Sequence, residues 1–361
     1  MKIVLRGAIM KILNYVVIIV FFAMIVPIFV HAENKNQWTW LHRRQLTDFE
    51  QQRNKLEKQI LFSKKDIPSF TQLVFSWNAF RPQKGHYIFY AQVRNAKNKK
   101  WSKWHRMMMW GADVQKSFIT ESDKVSNYQH VRLELLSGHV ADGFAVKIEA
   151  VDGADLSLLK SFSVNVSNFH DFSPENETIM DIKRSVYIKK VPCFSQFELD
   201  HPRNDGLCSP TSCAMLTSFL LSRTIDPIDF AEKSLDTGLD KYGSWPFNMA
   251  HAFERSEGTV SFAVTRLNSF TNLHDHLCKG IPVVVSVRGP LPGAPRVYQN
   301  GHLLIVVGYD SKTKEVICHD PAVADAQLCK KRYPLKSFMN AWERSHRLAY
   351  LADRIQMKDL P

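Results

Sequence analysis

Residues 206–216 read GLCSPTSCAML, a turn-forming stretch that leads directly into an apolar segment and leaves a cysteine at the junction. Pro210 suits a first helical position, and apolar side chains recur at helical spacing from Cys213 onward. This pattern places Cys208 at the N-terminus of a helix. Backbone N–H groups and the positive end of the helix dipole stabilise a thiolate there, which favours a nucleophilic cysteine. The alternative is a small, buried and unreactive side chain.

Length and composition indicate a globular protein with two domains. The chain has 361 residues, of which 45% are hydrophobic and 23% are charged, and this is enough apolar material for two cores. If Cys208 stays free for chemistry, at least one more of the six cysteines must stay unpaired, and Cys213 is the candidate. The sequence leaves open how the other four pair: Cys193, Cys278, Cys318 and Cys329.

The N-terminal residues predict export. A basic start precedes the apolar segment 12–30, and residues 30–32 offer small side chains at the positions that a signal peptidase reads. We expect residues 1–32 to be a cleaved signal peptide, with a retained membrane anchor as the alternative. The protein is then periplasmic or secreted, and export argues against nucleic acid as a partner. The net charge of +12 suits an anionic envelope surface instead.

Residues 33–168 predict a polar stalk followed by an all-β domain. Residues 33–66 are rich in Arg, Lys and Gln without a strong apolar stripe and predict the stalk, or a loosely docked helix. Residues 67–168 alternate apolar and polar side chains in several short segments, which predicts an antiparallel β-sandwich. Exposed tryptophans would let this domain bind carbohydrate, whereas buried ones would fill its core. The tryptophans concerned are Trp77, Trp101, Trp104 and Trp110.

After a predicted linker at residues 169–185, residues 186–361 predict an α+β domain. Its apolar segments 303–307 and 316–318 are separated by a turn sequence and should form an antiparallel hairpin. The hairpin would bring His302, at the start of one strand, beside Asp320, at the end of the other. An imidazole held by a carboxylate is the base that a cysteine nucleophile needs.

One further residue joins the candidate site, and neither a metal nor a cofactor is expected there. Gln196 lies upstream of Cys208, where its amide N–H and the Cys208 backbone N–H would form an oxyanion hole. His274, His276 and His319 could be metal ligands, but their spacing is not that of a zinc site, so no metal is expected. Gly-rich phosphate loops are absent from the sequence, and no cofactor is expected.

The order of these motifs resembles one family. Gln196, the segment CSPTS at 208–212, Gly301-His302 and Asp320-Pro321 resemble the papain-fold cysteine peptidases of the bacteriocin-leader-processing type, family thirty-nine, in its stand-alone, exported form. Further matches are YGSWPFNMA at 242–250, GIPVVVS at 280–286 and FMNAW at 338–342. The resemblance implies a papain-like fold with Cys208 as nucleophile, His302 as general base, Asp320 as its orienting group and Gln196 in the oxyanion hole. Ser209 stands where many members have glycine.

The expected function is therefore that of an exported cysteine peptidase. It would hydrolyse a peptide or amide bond of a peptide or protein substrate through a thioester intermediate. A deamidase or transglutaminase-like transferase that uses the same triad is one alternative. The other is a catalytically inert envelope protein in which the β-sandwich is the binding part.

Overall fold

Two antiparallel sheets form the first half of the protein in the computed structural model, which describes residues 37–46, 58–174 and 182–355. The six-stranded sheet has the order β1-β11-β3-β9-β8-β7 and the five-stranded sheet the order β2-β10-β4-β5-β6. Aromatic and aliphatic side chains from both sheets share one apolar core. The strands are β1 (Thr39–Gln45), β2 (Gln59–Lys64), β3 (Gln72–Ala79), β4 (His86–Asn95), β5 (His105–Gly111), β6 (Gln115–Ser117), β7 (Thr120–Ser122), β8 (Ser126–Gln129), β9 (Arg132–Leu135), β10 (Ala141–Val151) and β11 (Leu159–Ser167).

A third sheet of seven strands and five α-helices form the second half of the described chain. The sheet runs β13-β18-β14-β15-β16-β17, and the short strand β12 pairs with β15. These strands are β12 (Val186–Tyr187), β13 (Val260–Arg266), β14 (Val283–Gly289), β15 (Tyr298–Asp310), β16 (Glu315–His319), β17 (Lys330–Pro334) and β18 (Leu348–Arg354). The helices are α1 (Cys208–Leu221), α2 (Pro227–Ser234), α3 (Trp245–Arg255), α4 (Phe270–Cys278) and α5 (Leu335–Glu343).

The predicted polar stalk is wrong for the part of it that the structure describes. β1 pairs with β11 at the edge of one sheet, and β2 pairs with β10 at the edge of the other. Edge strands keep many charged and half-exposed side chains, as β1 does, so their period-two pattern is weak in the sequence. Trp38 is buried, and its ring lies 4.5 Å from that of Phe172.

The predicted linker is likewise packed where it is described. Phe169 stacks on His346 with ring centroids 4.1 Å apart, and so it contacts the second half of the chain. The remainder of that linker, residues 175–181, lies outside the described residues, as do the predicted signal segment and residues 47–57. Where the chain divides into domains stays a prediction from the sequence.

The tryptophans of the first half divide into core and partly exposed positions. Trp77 and Trp110 are fully buried, and their rings meet edge to face at 5.7 Å. They fill the core and are not available to stack on a sugar. Trp101 and Trp104 are half-buried. Carbohydrate binding therefore loses two of its four predicted aromatic contacts.

Side chains of β3 cover the outer edge of the third sheet at β13. Asn78 accepts from the backbone N–H of Phe262 at 2.8 Å and donates to its carbonyl at 3.0 Å, and Ser76 Oγ accepts from Val264 N–H at 3.1 Å. An open strand edge invites pairing with other chains, and these contacts close it. Within the described residues, no helix is long and apolar enough to cross a membrane.

Candidate active site

Cys208 is the first residue of α1, as the turn before it predicted. A short 3₁₀ turn, Asn204–Gly206, leads into the helix and leaves the cysteine half-buried. Further along the helix, the buried Ser212 donates its hydroxyl to the Leu303 carbonyl at 3.1 Å. This bond ties the first turns of α1 to β15 at the position next to His302, and it fixes the distance between the thiol and the imidazole.

The hairpin of β15 and β16 brings His302 and Asp320 together, and this prediction is confirmed. The strands pair antiparallel, with Ile305 opposite His319. His302 Nε2 lies 2.8 Å from Asp320 Oδ1, and both side chains are buried. Because a carboxylate only accepts, Nε2 carries the hydrogen, and Nδ1 is the nitrogen left for Cys208, which hydrogen-bonds to the same ring.

Asp320 accepts four hydrogen bonds. Oδ1 accepts from His302 and from the Ala322 N–H at 3.0 Å, while Oδ2 accepts from the hydroxyls of Tyr298 at 2.6 Å and Tyr333 at 2.7 Å. Burial on its own would raise the pKa of this carboxyl, but the charge and hydrogen bond of His302, together with the other donors, lower it to about 2. Asp320 therefore stays ionised at neutral pH.

The same contacts set the charges of Cys208 and His302. Burial opposes the charged form of the imidazole, but Asp320, and then Cys208, raise the pKa of His302 from 6.5 to about 9. Burial also opposes a thiolate, but the hydrogen bond and charge of His302 lower the pKa of the Cys208 thiol below its ordinary value. These opposite shifts favour transfer of the thiol proton to the imidazole.

Tyr298 and Tyr333 are functional residues that the sequence did not reveal. The ring of Tyr298 also stacks on His302 with centroids 4.1 Å apart and an angle of 15° between the planes. Tyr298 is the first residue of β15, and a tyrosine at the start of a strand gives no sign in the sequence of its partner. Tyr333 reaches Asp320 only because β17 pairs with β16.

Gln196 is buried, and its side-chain amide donates to backbone carbonyls just before Cys208. Its Nε2 donates to the carbonyls of Asn204 at 2.8 Å and Asp205 at 3.0 Å, in the turn that leads to Cys208. Ser209 is also buried, and its hydroxyl bonds to that of Tyr350 at 3.1 Å. The Ser209 side chain therefore faces the core and leaves the cleft unobstructed.

A cavity of about 300 Å³ opens over Cys208 and His302. Residues 296–300 form one wall, and Asp205 and Arg296 give the cavity one acidic and one basic side chain. Trp245 packs against both apolar cores. This cavity is large enough for a few side chains of an extended peptide.

Potential metal ligands meet elsewhere in the second half. Among the described residues, the three that lie together are Cys193, His319 and Cys329. His274 and His276, which the sequence paired with His319, do not join them; His274 Nε2 instead bonds to the Arg184 carbonyl at 2.8 Å. All six cysteines lie in the described residues and are free thiols.

A family model matches the second half of this chain, and two solved structures are similar to the chain at low identity. Residues 188–350 match the model of the family described as Peptidase_C39 like family. A solved C39-like peptidase from Bacillus anthracis is similar at 18% identity and a TM-score of 0.37, over 48% of this chain and 99% of that one. Xylellain, a cysteine protease from Xylella fastidiosa, is similar at 14% identity and a TM-score of 0.31, over 51% of this chain and 91% of that one. A comparison with curated proteins found no match. The segment 188–350, which carries Cys208, His302 and Asp320, is therefore similar to the C39-like peptidase family, and the protein is a cysteine peptidase.

Proposed function

We propose that the protein is an exported peptidase that hydrolyses peptide or amide bonds with a Cys208-His302-Asp320 triad. The observation that carries this proposal is the chain of contacts from the thiol at the start of α1, through the buried imidazole, to a carboxylate 2.8 Å away. Nucleophile, base and orienting group are held in the order that acyl transfer by a cysteine requires.

The reaction proceeds in two halves. The Cys208 thiolate attacks the scissile carbonyl, and the resulting oxyanion is stabilised at the N-terminus of α1, where backbone N–H groups lack helical partners. His302 gives its proton to the departing amine and leaves a thioester on Cys208. It then takes a proton from water, which attacks the thioester and releases the acid and the free thiolate, with the proton back on the imidazole. Asp320 keeps the ring oriented throughout.

Gln196 contributes to the oxyanion hole under one condition. Its amide N–H groups now donate to two carbonyls of the turn before Cys208, so the substrate oxyanion must replace one of those acceptors. Gln196→Ala is then expected to lower kcat about a hundredfold, the usual loss for one oxyanion donor. A structural role alone would lower the melting temperature and leave kcat of the folded fraction unchanged.

Export is the second part of the proposal, and the sequence supports it. The basic start, the apolar segment 12–30 and the small residues at 30–32 have the order of a signal peptide. Cell fractionation followed by N-terminal sequencing tests this, with a mature N-terminus after Ala32 as the expected result. A protein recovered from the cytoplasm with its first residues intact would contradict it.

A quenched-fluorescence peptide library tests the peptidase activity. The wild-type protein and Cys278→Ala should cleave the same peptides, because Cys278 is a half-buried thiol on α4 outside the cavity. Cys208→Ala should cleave none. Products joined to an added amine in preference to water would identify the transferase instead. Iodoacetamide reactivity of Cys208 no faster than that of Cys278, without cleavage of any peptide, would identify an inert binding protein.

A further inference from the structure

Two cysteines and a histidine from three separate segments meet at one point outside the triad. The ligand atoms of Cys193, His319 and Cys329 all lie within 4.8 Å of one another. His319 ends β16 and Cys329 immediately precedes β17, so the pairing of these strands brings them together. Cys193 arrives on the segment before Gln196, whose backbone N–H donates to the Pro321 carbonyl at 2.8 Å.

The imidazole of His319 is already oriented as a ligand. Its Nδ1 lies 3.0 Å from the Pro192 carbonyl, and because a carbonyl only accepts, Nδ1 must carry the hydrogen. The lone pair is then on Nε2, which is left for the two sulfurs. A histidine that binds a metal commonly donates its other N–H to a backbone carbonyl in this way, which fixes both its tautomer and its direction.

The two sulfurs also have the surroundings of metal-bound thiolates. The thiol of Cys193 hydrogen-bonds to the sulfur of Cys329 and to the imidazole of His319, and the Phe194 backbone N–H donates to the sulfur of Cys329. Cys329 and His319 are buried, and Cys193 is half-buried. The cluster therefore has a closed inner side and one side that water can reach.

We propose that Cys193, His319 and Cys329 bind one Zn²⁺ ion, with water in the fourth position on the side of Cys193. Two thiolates and a neutral imidazole are the ligand types that zinc prefers. Binding releases the two thiol protons, and the two thiolates balance the charge of the ion, which suits a buried site. A disulfide between the two cysteines would use only two of the three oriented groups.

The ion would join the two segments that flank the triad. Cys193 lies three residues before Gln196, and His319 and Cys329 bracket the loop that begins with Asp320. Zinc would therefore fix the segment of Gln196 against the strands that hold the orienting carboxylate. This site is separate from the proposed peptidase chemistry, and it is expected to form equally in a Cys208→Ala protein.

Zinc titration of the full-length protein tests the site. The reduced Cys208→Ala protein should bind one Zn²⁺ per chain, and Co²⁺ in its place should give a thiolate-to-cobalt absorption band. Adding Cys329→Ser to this protein should weaken binding about tenfold or more and weaken the band. Cys278→Ser is the matched control, because Cys278 also lies beside a histidine, with its sulfur 3.6 Å from His274 Nδ1, and it should leave both unchanged.

A second experiment leaves all three proposed zinc ligands unsubstituted, so it does not depend on whether a ligand variant folds. Zinc should protect Cys193 and Cys329 of the Cys208→Ala protein from N-ethylmaleimide while Cys278 stays reactive, as peptide mass spectrometry would show. Absence of zinc binding by the reduced, folded protein would overturn the proposal. So would equal protection of Cys278, or a disulfide between Cys193 and Cys329 in protein isolated without reductant.

Discussion

Removing the negative charge of Asp320 should lower the fraction of Cys208 that is a thiolate at neutral pH. Asp320→Asn keeps the size of the side chain and an oxygen that accepts from His302, while its amide can donate to the tyrosine oxygens. What it removes is the negative charge that, against burial and together with a smaller contribution from Cys208, raises the pKa of His302 from 6.5 to about 9. The pKa of the imidazole is then expected to fall to 6.5 or below.

The expected size of the effect follows from this difference. One pKa unit corresponds to about 1.4 kcal/mol, so the interval between 6.5 and about 9 amounts to about 3 kcal/mol of stabilisation of the imidazolium. The same imidazolium lowers the pKa of Cys208. Loss of the carboxylate charge should therefore lower the equilibrium constant for proton transfer from the thiol to the imidazole about a hundredfold.

The rate of Cys208 alkylation by iodoacetamide against pH measures this equilibrium without a substrate. In the wild type, alkylation should remain fast well below the ordinary thiol pKa of 9.0, and in Asp320→Asn it should become fast only as the pH approaches that value. Tyr333→Phe is the control, because it removes one hydrogen bond of 2.7 Å and keeps the charge; its profile should stay close to that of the wild type. A folded Asp320→Asn protein with the wild-type profile would refute the electrostatic role of Asp320.

Three further results are expected from the contacts around the site. Ser212→Ala removes the hydrogen bond between α1 and β15, and it should lower both the free energy of unfolding, by about 1 kcal/mol, and kcat. Ser218→Ala is the control, because it removes a hydrogen bond from the same helix to the Ile225 N–H; it should lower only the melting temperature. Arg266→Met removes the guanidinium that donates to the Gln72 side chain and to the carbonyls of Ser345 and His346, and it should lower the free energy of unfolding by about 3 kcal/mol in urea titrations. The folded protein holds the pKa of Asp320 at about 2 instead of 3.8. The stability that the ionised carboxylate contributes is therefore fully present above pH 3.8 and is lost as the pH falls toward 2. Over that range the free energy of unfolding of the wild type, measured in denaturant titrations, should fall by about 2 kcal/mol more than that of Asp320→Asn.

Local sequence patterns were sufficient to predict the pair His302 and Asp320. Two apolar segments joined by a short turn sequence form a hairpin by themselves, and a hairpin fixes which strand ends are neighbours. The start of α1 at Cys208 was predictable for the same reason, since turn residues before an apolar segment are a local signal. Both predictions depend on residues close together in the chain.

Contacts between distant segments escaped prediction. Tyr333 reaches Asp320 through the pairing of β17 with β16, and β17 (KKRYP) has too little apolar alternation to be recognised as a strand. β1 and β2 were missed because edge strands carry charged side chains, and their partners β11 and β10 lie about a hundred residues away. The Cys193 cluster escaped because its ligands follow no zinc spacing and meet only in the folded sheet.

The four donors to Asp320 explain why the proposed triad needs strands β15, β16 and β17 to be paired. A buried carboxylate that had only His302 as a partner would face a desolvation cost comparable to the attraction it supplies. Here the hydroxyls of Tyr298 and Tyr333 and the Ala322 N–H satisfy its remaining lone pairs. They come from β15, from β17 and from the loop between β16 and β17. The charge that raises the pKa of His302 is therefore stable only when these strands are paired. The reactivity that we expect of Cys208 then depends on the folded sheet, and not on the helix alone.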